Sequence, residues 1–139
     1  MSVNQLVALL EQFFQTANLY SYKKRALISH PNDISSNVFF IKSGYVRVYR
    51  ITEDGEELTV TILKPKDFFP LSYGMYPFTN PYHLEAITAL ELWKAPQEQF
   101  IQFIKTNPEL FYDLTTRILV SFDDVLLRME NLLFCNASP

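Results

Sequence analysis

The stretch Val38-Phe39-Phe40-Ile41-Lys42-Ser43-Gly44-Tyr45-Val46-Arg47-Val48-Tyr49-Arg50-Ile51 decides the fold. Val38 to Ile41 is an unbroken apolar run, the pattern of a strand buried on both faces. Ser43-Gly44 supplies a tight turn, and Tyr45 to Ile51 has high β propensity, with Val46 and Val48 alternating against Arg47. Leu58, Val60 and Ile62 then alternate with Thr59 and Thr61 in a further strand. Asp54-Gly55 between them is a strong hairpin signal, because glycine accepts positive φ. Two more strands are expected at His83 to Ala89 and Glu91 to Lys94. Many short strands with turns between them predict an antiparallel sandwich or barrel over residues 19–96.

Helices flank this β region. Ser2 and Gln5 have capping-box spacing, and Leu6, Leu9, Leu10 and Phe13 follow as one apolar stripe of a helix over residues 1–18, which Asn18 would end. Pro96 suits a first helical position, with a short helix from Gln97 to Lys105. Asn107-Pro108 restarts the helix, with Asn107 as cap and Glu109 near the positive end of the dipole. From Glu109 to Phe134 there is no Pro or Gly, which allows a helix of about 39 Å at a rise of about 1.5 Å per residue. Ile118, Phe122, Val125, Met129 and Leu132 have the 4, 3, 4, 3 spacing of a coiled-coil seam, and Leu119, Leu126 and Leu133 form a second stripe. The expectation is a parallel homodimer built on the first set, with the other stripe on the barrel. The alternative is that both stripes pack inside one monomer.

Composition bounds the rest. With 139 residues, 48% hydrophobic and 19% charged, the chain is one globular domain. Twelve basic against 15 acidic residues give a net charge of −3, which argues against this segment gripping nucleic acid by itself. Lys23-Lys24-Arg25 reads as a solvated turn. A single cysteine, Cys135, excludes a disulfide framework within the chain. Met1-Ser2-Val3-Asn4-Gln5 carries no basic region of a signal peptide, and no apolar run approaches the roughly 20 residues of a membrane span. A soluble, cytoplasmic domain with no membrane partner is expected.

The order helix, barrel, long helix, with four local patterns, resembles the sensor domain of the CRP/FNR transcription regulators. Phe39 to Tyr49 is similar to that family's strand–Ser-Gly–strand hairpin, and Asp54-Gly55-Glu56-Glu57 to its next turn. Leu63-Lys64-Pro65-Lys66-Asp67-Phe68-Phe69 resembles the entry to its phosphate-binding cassette. Glu130-Asn131-Leu132-Leu133-Phe134 resembles the last turns of its dimerisation helix. The resemblance implies a mainly β, double-stranded β-helix or jelly-roll fold of the cyclic-nucleotide-binding-domain type, followed by a long C-terminal dimerisation helix over the second half of residues 97–135. It also implies an effector held in the roll, and DNA contact through a winged helix-turn-helix domain absent from this chain. The chain is then a sensor fragment of a longer regulator or a stand-alone sensor.

The cassette departs from the cyclic-nucleotide type. Pro70 and Leu71 stand in place of Gly-Glu after Phe69, Asn80-Pro81-Tyr82 fills the late position, and no arginine occurs between Arg50 and Arg117. A buried phosphate needs charge-assisted donors to offset its desolvation, and Lys64 and Lys66 fall at a solvent-side turn. The expected ligand is therefore a small molecule other than cyclic AMP. Phe68, Phe69, Tyr73, Tyr76, Phe78, Tyr82 and His83 replace the cassette chemistry, which suits a flat, weakly polar or anionic organic ligand. The candidate ligand-binding set is Phe69, Leu71, Tyr73, Tyr76, Tyr82 and His83, floored by Val125 and Leu126. Alternatively, these residues plug the barrel and leave a structural dimerisation module.

Other chemistry is constrained. Cys135 stands at the wrong end for the cysteine cluster of the family's oxygen-sensing branch. His83 is the one candidate for an axial haem ligand, and no cofactor or metal is expected. His83, Glu85 and His30 are the only set from which a cupin-type metal enzyme could be built. No Ser-His-Asp, Cys-His, Walker or G-x-G-x-x-G arrangement occurs, so no enzyme is expected.

Overall fold

A computed structural model describes residues 1–31, 37–69 and 81–137, with side chains to residue 134. Helix α1 spans Val3–Phe14. Its capping box forms as the spacing predicts: Gln5 N donates to Ser2 Oγ at 3.2 Å, and Ser2 N donates to Gln5 Oε1 at 2.9 Å. The helix stops at Phe14, and Asn18 opens β1 (Asn18–Tyr22) instead of ending α1. The buried stripe is Leu6, Leu10 and Phe14; Leu9 and Phe13 are half-buried.

The roll follows as β2 (Leu27–Ser29), β3 (Asn37–Ser43), β4 (Val46–Ile51), β5 (Glu57–Leu63), β6 (Phe68–Phe69), β7 (His83–Ala86) and β8 (Leu90–Pro96). Together with β1 they make two antiparallel four-stranded sheets, β1-β8-β3-β6 and β2-β7-β4-β5, the jelly-roll arrangement expected. Within sheet one, β3 and β8 are buried on both faces, which explains the unbroken run in β3, while β1 is largely exposed. Val38 and Phe40 of β3, with Trp93 and Ala95 of β8, pack on the helices with Phe14 and Phe100. Phe39 and Ile41, with Leu90 and Leu92, face the second sheet and meet Val46, Val48, Leu84 and Ala86. Residues of β3 and β8 therefore alternate between two cores and leave little polar surface.

The Ser43-Gly44 turn, expected as a hairpin, instead carries the chain from β3 in one sheet to β4 in the other, while Gly55 sits in the β4–β5 hairpin. Both glycines adopt the positive φ their turns require, +92° at Gly44 and +83° at Gly55. Gly44 is also packed: a Cβ there would lie 2.2 Å from the Ala89 carbonyl oxygen. The neighbouring Tyr45 N donates to Thr88 Oγ1 at 3.1 Å, so the β3–β4 turn is fastened to the β7–β8 turn. Strand β5 differs from the alternation expected. It is an edge strand with a register shift opposite Val48 and Tyr49, and Leu58, Val60 and Ile62 are all about half exposed. The Lys23-Lys24-Arg25 turn is exposed, as expected.

Helix α2 spans Gln97–Lys105, with Pro96 one step earlier than anticipated, as its N-cap. Asn107 directs its side chain backwards, Nδ2 donating to Phe103 O at 2.8 Å. Helix α3 runs Pro108–Ala137, about 45 Å at about 1.5 Å per residue. Its first turns are anchored by Leu110 and Leu114 in the helix-side core. From Leu119 to Phe134 every residue is exposed. Among the described residues no helix is long and apolar enough to cross a membrane.

Candidate effector-binding site

Backbone register places a row of side chains across the inner face of sheet one, at the end of the roll away from Gly44. Asn18 pairs with Lys94, Lys94 with Phe39, and Phe39 with Phe69. Phe69 packs on Phe39 with ring centroids 5.9 Å apart. Tyr22, Ile28, Phe69 and Tyr82 are partly buried against the inter-sheet core. Phe69 and Tyr82 of the sequence-derived set are thus brought onto one core.

Lys94 was not singled out from the sequence. It follows Leu90 and Leu92 at a spacing of two, so it faces the interior, and its Nζ lies 4.7 Å from the Tyr20 ring centroid and 5.3 Å from that of Tyr22. Among the described residues it has no carboxylate partner. The signal was present in the Leu90-x-Leu92-x-Lys94 alternation. It was masked because Trp93 and Ala95 are buried on the opposite face.

His83 lies apart from this core. Leu84 and Ala86 of β7 enter the inter-sheet core, and strand alternation turns His83 and Glu85 to the outer face. There His83 stacks on Tyr49 at 4.8 Å and meets His30 edge-on at 6.5 Å. Arg47 covers the Tyr49 ring at 4.4 Å, donates from Nε to Thr59 Oγ1 at 2.8 Å, and pairs with Glu57 at 2.8 Å. Burial raises the Tyr49 hydroxyl above the ordinary tyrosine range; Glu85 and Glu57 add to that, and Arg47 opposes it. This outer cluster is not part of the roll interior. Among the described residues no group of three or more His, Cys, Asp or Glu side chains is arranged to hold a metal ion.

Leu71, Tyr73, Tyr76 and Phe78 lie outside the described residues. Val125 and Leu126 do not floor the roll within one chain. They stand on the bare part of α3, 50% and 47% exposed, and belong to neither core. The physical reason is length: α3 leaves the body after about three turns and continues past it. The seam residues Phe122, Val125, Met129 and Leu132 are equally uncovered, and Ile118 is half-buried. Lys64 is at the solvent-side turn as expected, its ammonium paired with Asp67 at 3.0 Å. Lys66 beside it is exposed.

Comparison with known proteins agrees with this architecture. Residues 19–107 match the cyclic nucleotide-binding domain family. The chain is 34% identical over 131 residues to the global nitrogen regulator of Nostoc sp. (strain PCC 7120 / SAG 25.82 / UTEX 2576), covering 86% of this chain and 59% of that protein. It superposes on the Thermus thermophilus catabolite activator protein with a TM-score of 0.78 at 19% identity, covering 91% of this chain and 60% of that one. Oxidized CprK in complex with o-chlorophenolacetic acid superposes with a TM-score of 0.71 at 14% identity, covering 90% of this chain and 52% of that one. This chain spans about three-fifths of the regulator it matches in sequence. It belongs to the cyclic nucleotide-binding domain family and is homologous to the CRP/FNR-type transcription regulators.

Proposed function

We propose that this chain is the effector-sensing and dimerisation domain of a CRP/FNR-type transcription regulator, and that its effector is a small organic anion other than cyclic AMP. The observation that carries the dimerisation half is the bare α3. An amphipathic helix draws most of its stability from burying its apolar stripe, and here Phe122, Met129 and Leu132 are 55 to 65% exposed. A second copy of the same seam would cover them, in a parallel pair. DNA contact would belong to a further domain outside this chain.

The aromatic wall of Phe39, Phe69, Tyr20, Tyr22 and Tyr82, with Lys94 at its edge, supports the sensing half. An aryl carboxylate would lay its ring on this wall and present its charge to the ammonium of Lys94. CprK, of the same fold, has been solved with an aromatic carboxylic acid bound. Val125 and Leu126 of the paired helices would complete the site beside the roll, together with Leu71, Tyr73 and Tyr76. Filling the roll would then shift the two α3 helices against each other, a population shift between two dimer arrangements. Thermal-shift titration with aryl carboxylates, their amides and cyclic AMP tests the reading. Stabilisation by the acids alone, lost in Lys94→Met, is expected. Stabilisation by cyclic AMP alone would overturn the choice of ligand.

A further inference from the structure

A second polar feature lies on α3, outside the roll. Where the helix leaves the body it borders a groove of about 460 Å³, lined by Asp113, Thr116, Arg117, Val120 and Ser121. Arg117 is seven residues beyond the buried Leu110, hence on the same side of the helix and partly sheltered by the body. Its Nε is shielded from solvent and has no hydrogen-bond partner among the described residues.

The local carboxylate does not supply one. Asp113 stands four residues earlier, at the spacing that favours an ion pair along a helix. It turns instead to the α-amino group of Met1, with Oδ2 3.2 Å away. A partly sheltered guanidinium without an acceptor is costly, and the planar pair of Nη donors beyond the shielded Nε matches a carboxylate. The groove also holds two hydroxyls. Thr116 Oγ1 donates to Tyr112 O at 2.9 Å and retains its lone pairs, and Ser121 is exposed at the rim.

A second copy of the chain would leave this groove open. With Phe122 and Met129 at a positions and Ile118, Val125 and Leu132 at d, Asp113, Thr116, Arg117 and Val120 fall at f, b, c and f, away from a coiled-coil partner, and only Ser121, at g, borders the seam.

We propose that the groove binds a small monocarboxylate, its oxygens on the Nη end of Arg117 and its apolar end against Val120. The nearby Asp113 carboxylate disfavours a doubly charged anion such as hydrogen phosphate. The site is separate from the roll, so an occupant here would act directly on the root of α3.

The test follows the arginine Nε–H resonances of the 15N-labelled chain during titration with propionate, with phosphate as a second probe and chloride holding ionic strength constant. A saturable shift of one arginine resonance is expected with propionate and a weaker one with phosphate. Arg117→Gln should weaken propionate binding about tenfold or more, by removing a charge-assisted bidentate contact. Lys66→Gln, at the exposed turn, should leave it unchanged; the arginine readout separates this site from the roll, whose interior cation is a lysine, and circular dichroism confirms that both variants are folded. Absence of a saturable shift, an unaltered shift in Arg117→Gln, or tighter binding of phosphate than of propionate would each overturn the proposal.

Discussion

Gly44 and Gly55 form a matched pair that separates backbone strain from steric contact. Both have positive φ, so an alanine at either position meets the left-handed penalty of about 1–2 kcal/mol. Around Gly55 no described residue lies within 4 Å of a new Cβ, and Gly55→Ala should cost only that amount. At Gly44 the Cβ would lie 2.2 Å from Ala89 O, 2.9 Å from Leu90 Cα and 3.0 Å from Thr88 Oγ1. The first two are backbone atoms, so the β7–β8 turn must retreat by about 1 Å, at a cost of about 1–3 kcal/mol for overpacking. The expected excess for Gly44→Ala over Gly55→Ala is about 2 kcal/mol. Urea unfolding followed by the fluorescence of Trp93, the only tryptophan and a nearly buried one, reports it. With m of about 1–2 kcal/mol/M for a domain of this size, the two midpoints should differ by about 1–2 M. Coincident midpoints would refute the claim that the two turns at this end of the roll are locked together.

Tyr49→Phe tests the outer cluster. Because the folded pKa of Tyr49 lies above that of an unfolded tyrosine, its stabilising contribution is complete below about pH 10 and lost as pH rises through the raised value. Unfolding measured across that alkaline range should therefore show a smaller loss in the phenylalanine variant; an identical loss would contradict the assignment. Ser2→Ala removes one half of the capping box and should cost about 1 kcal/mol in thermal or urea unfolding. Phe40 has no exposed surface and stacks between Phe14 at 5.4 Å and Trp93 at 6.0 Å, so Phe40→Ala should cost about 3–5 kcal/mol; a loss below about 1 kcal/mol would show that the helix-side core is not packed as described.

Elements with their own periodicity were legible in the sequence, and elements that exist by pairing were not. The capping box of α1, the β4–β5 hairpin at Asp54-Gly55 and the length of α3 follow from spacing alone, whereas the Ser43-Gly44 turn, read as a hairpin, joins strands of different sheets. Strands β1, β2 and β6 have five, three and two residues, and they are defined by the ladders of β8, β7 and β3 on which they lie. The long apolar runs of β3 and β8 announce burial without saying which core each residue enters, and that ambiguity hid Lys94. For His83 the signal was available. The polar–apolar alternation His83-Leu84-Glu85-Ala86 places the imidazole opposite the side that Leu84 and Ala86 bury, although His83 also follows the aromatic run that ends in Tyr82. The helix stripes revealed apolar surface without naming what covers it, because coverage of a helix longer than its own domain is decided outside the chain.

Sedimentation equilibrium of the chain at micromolar concentration is the most direct test of the paired helix. The account predicts twice the 16.2 kDa chain mass, falling to the single mass when Phe122 and Leu132 are both replaced by glutamate. A single-chain mass that persists at the highest attainable concentration would contradict it.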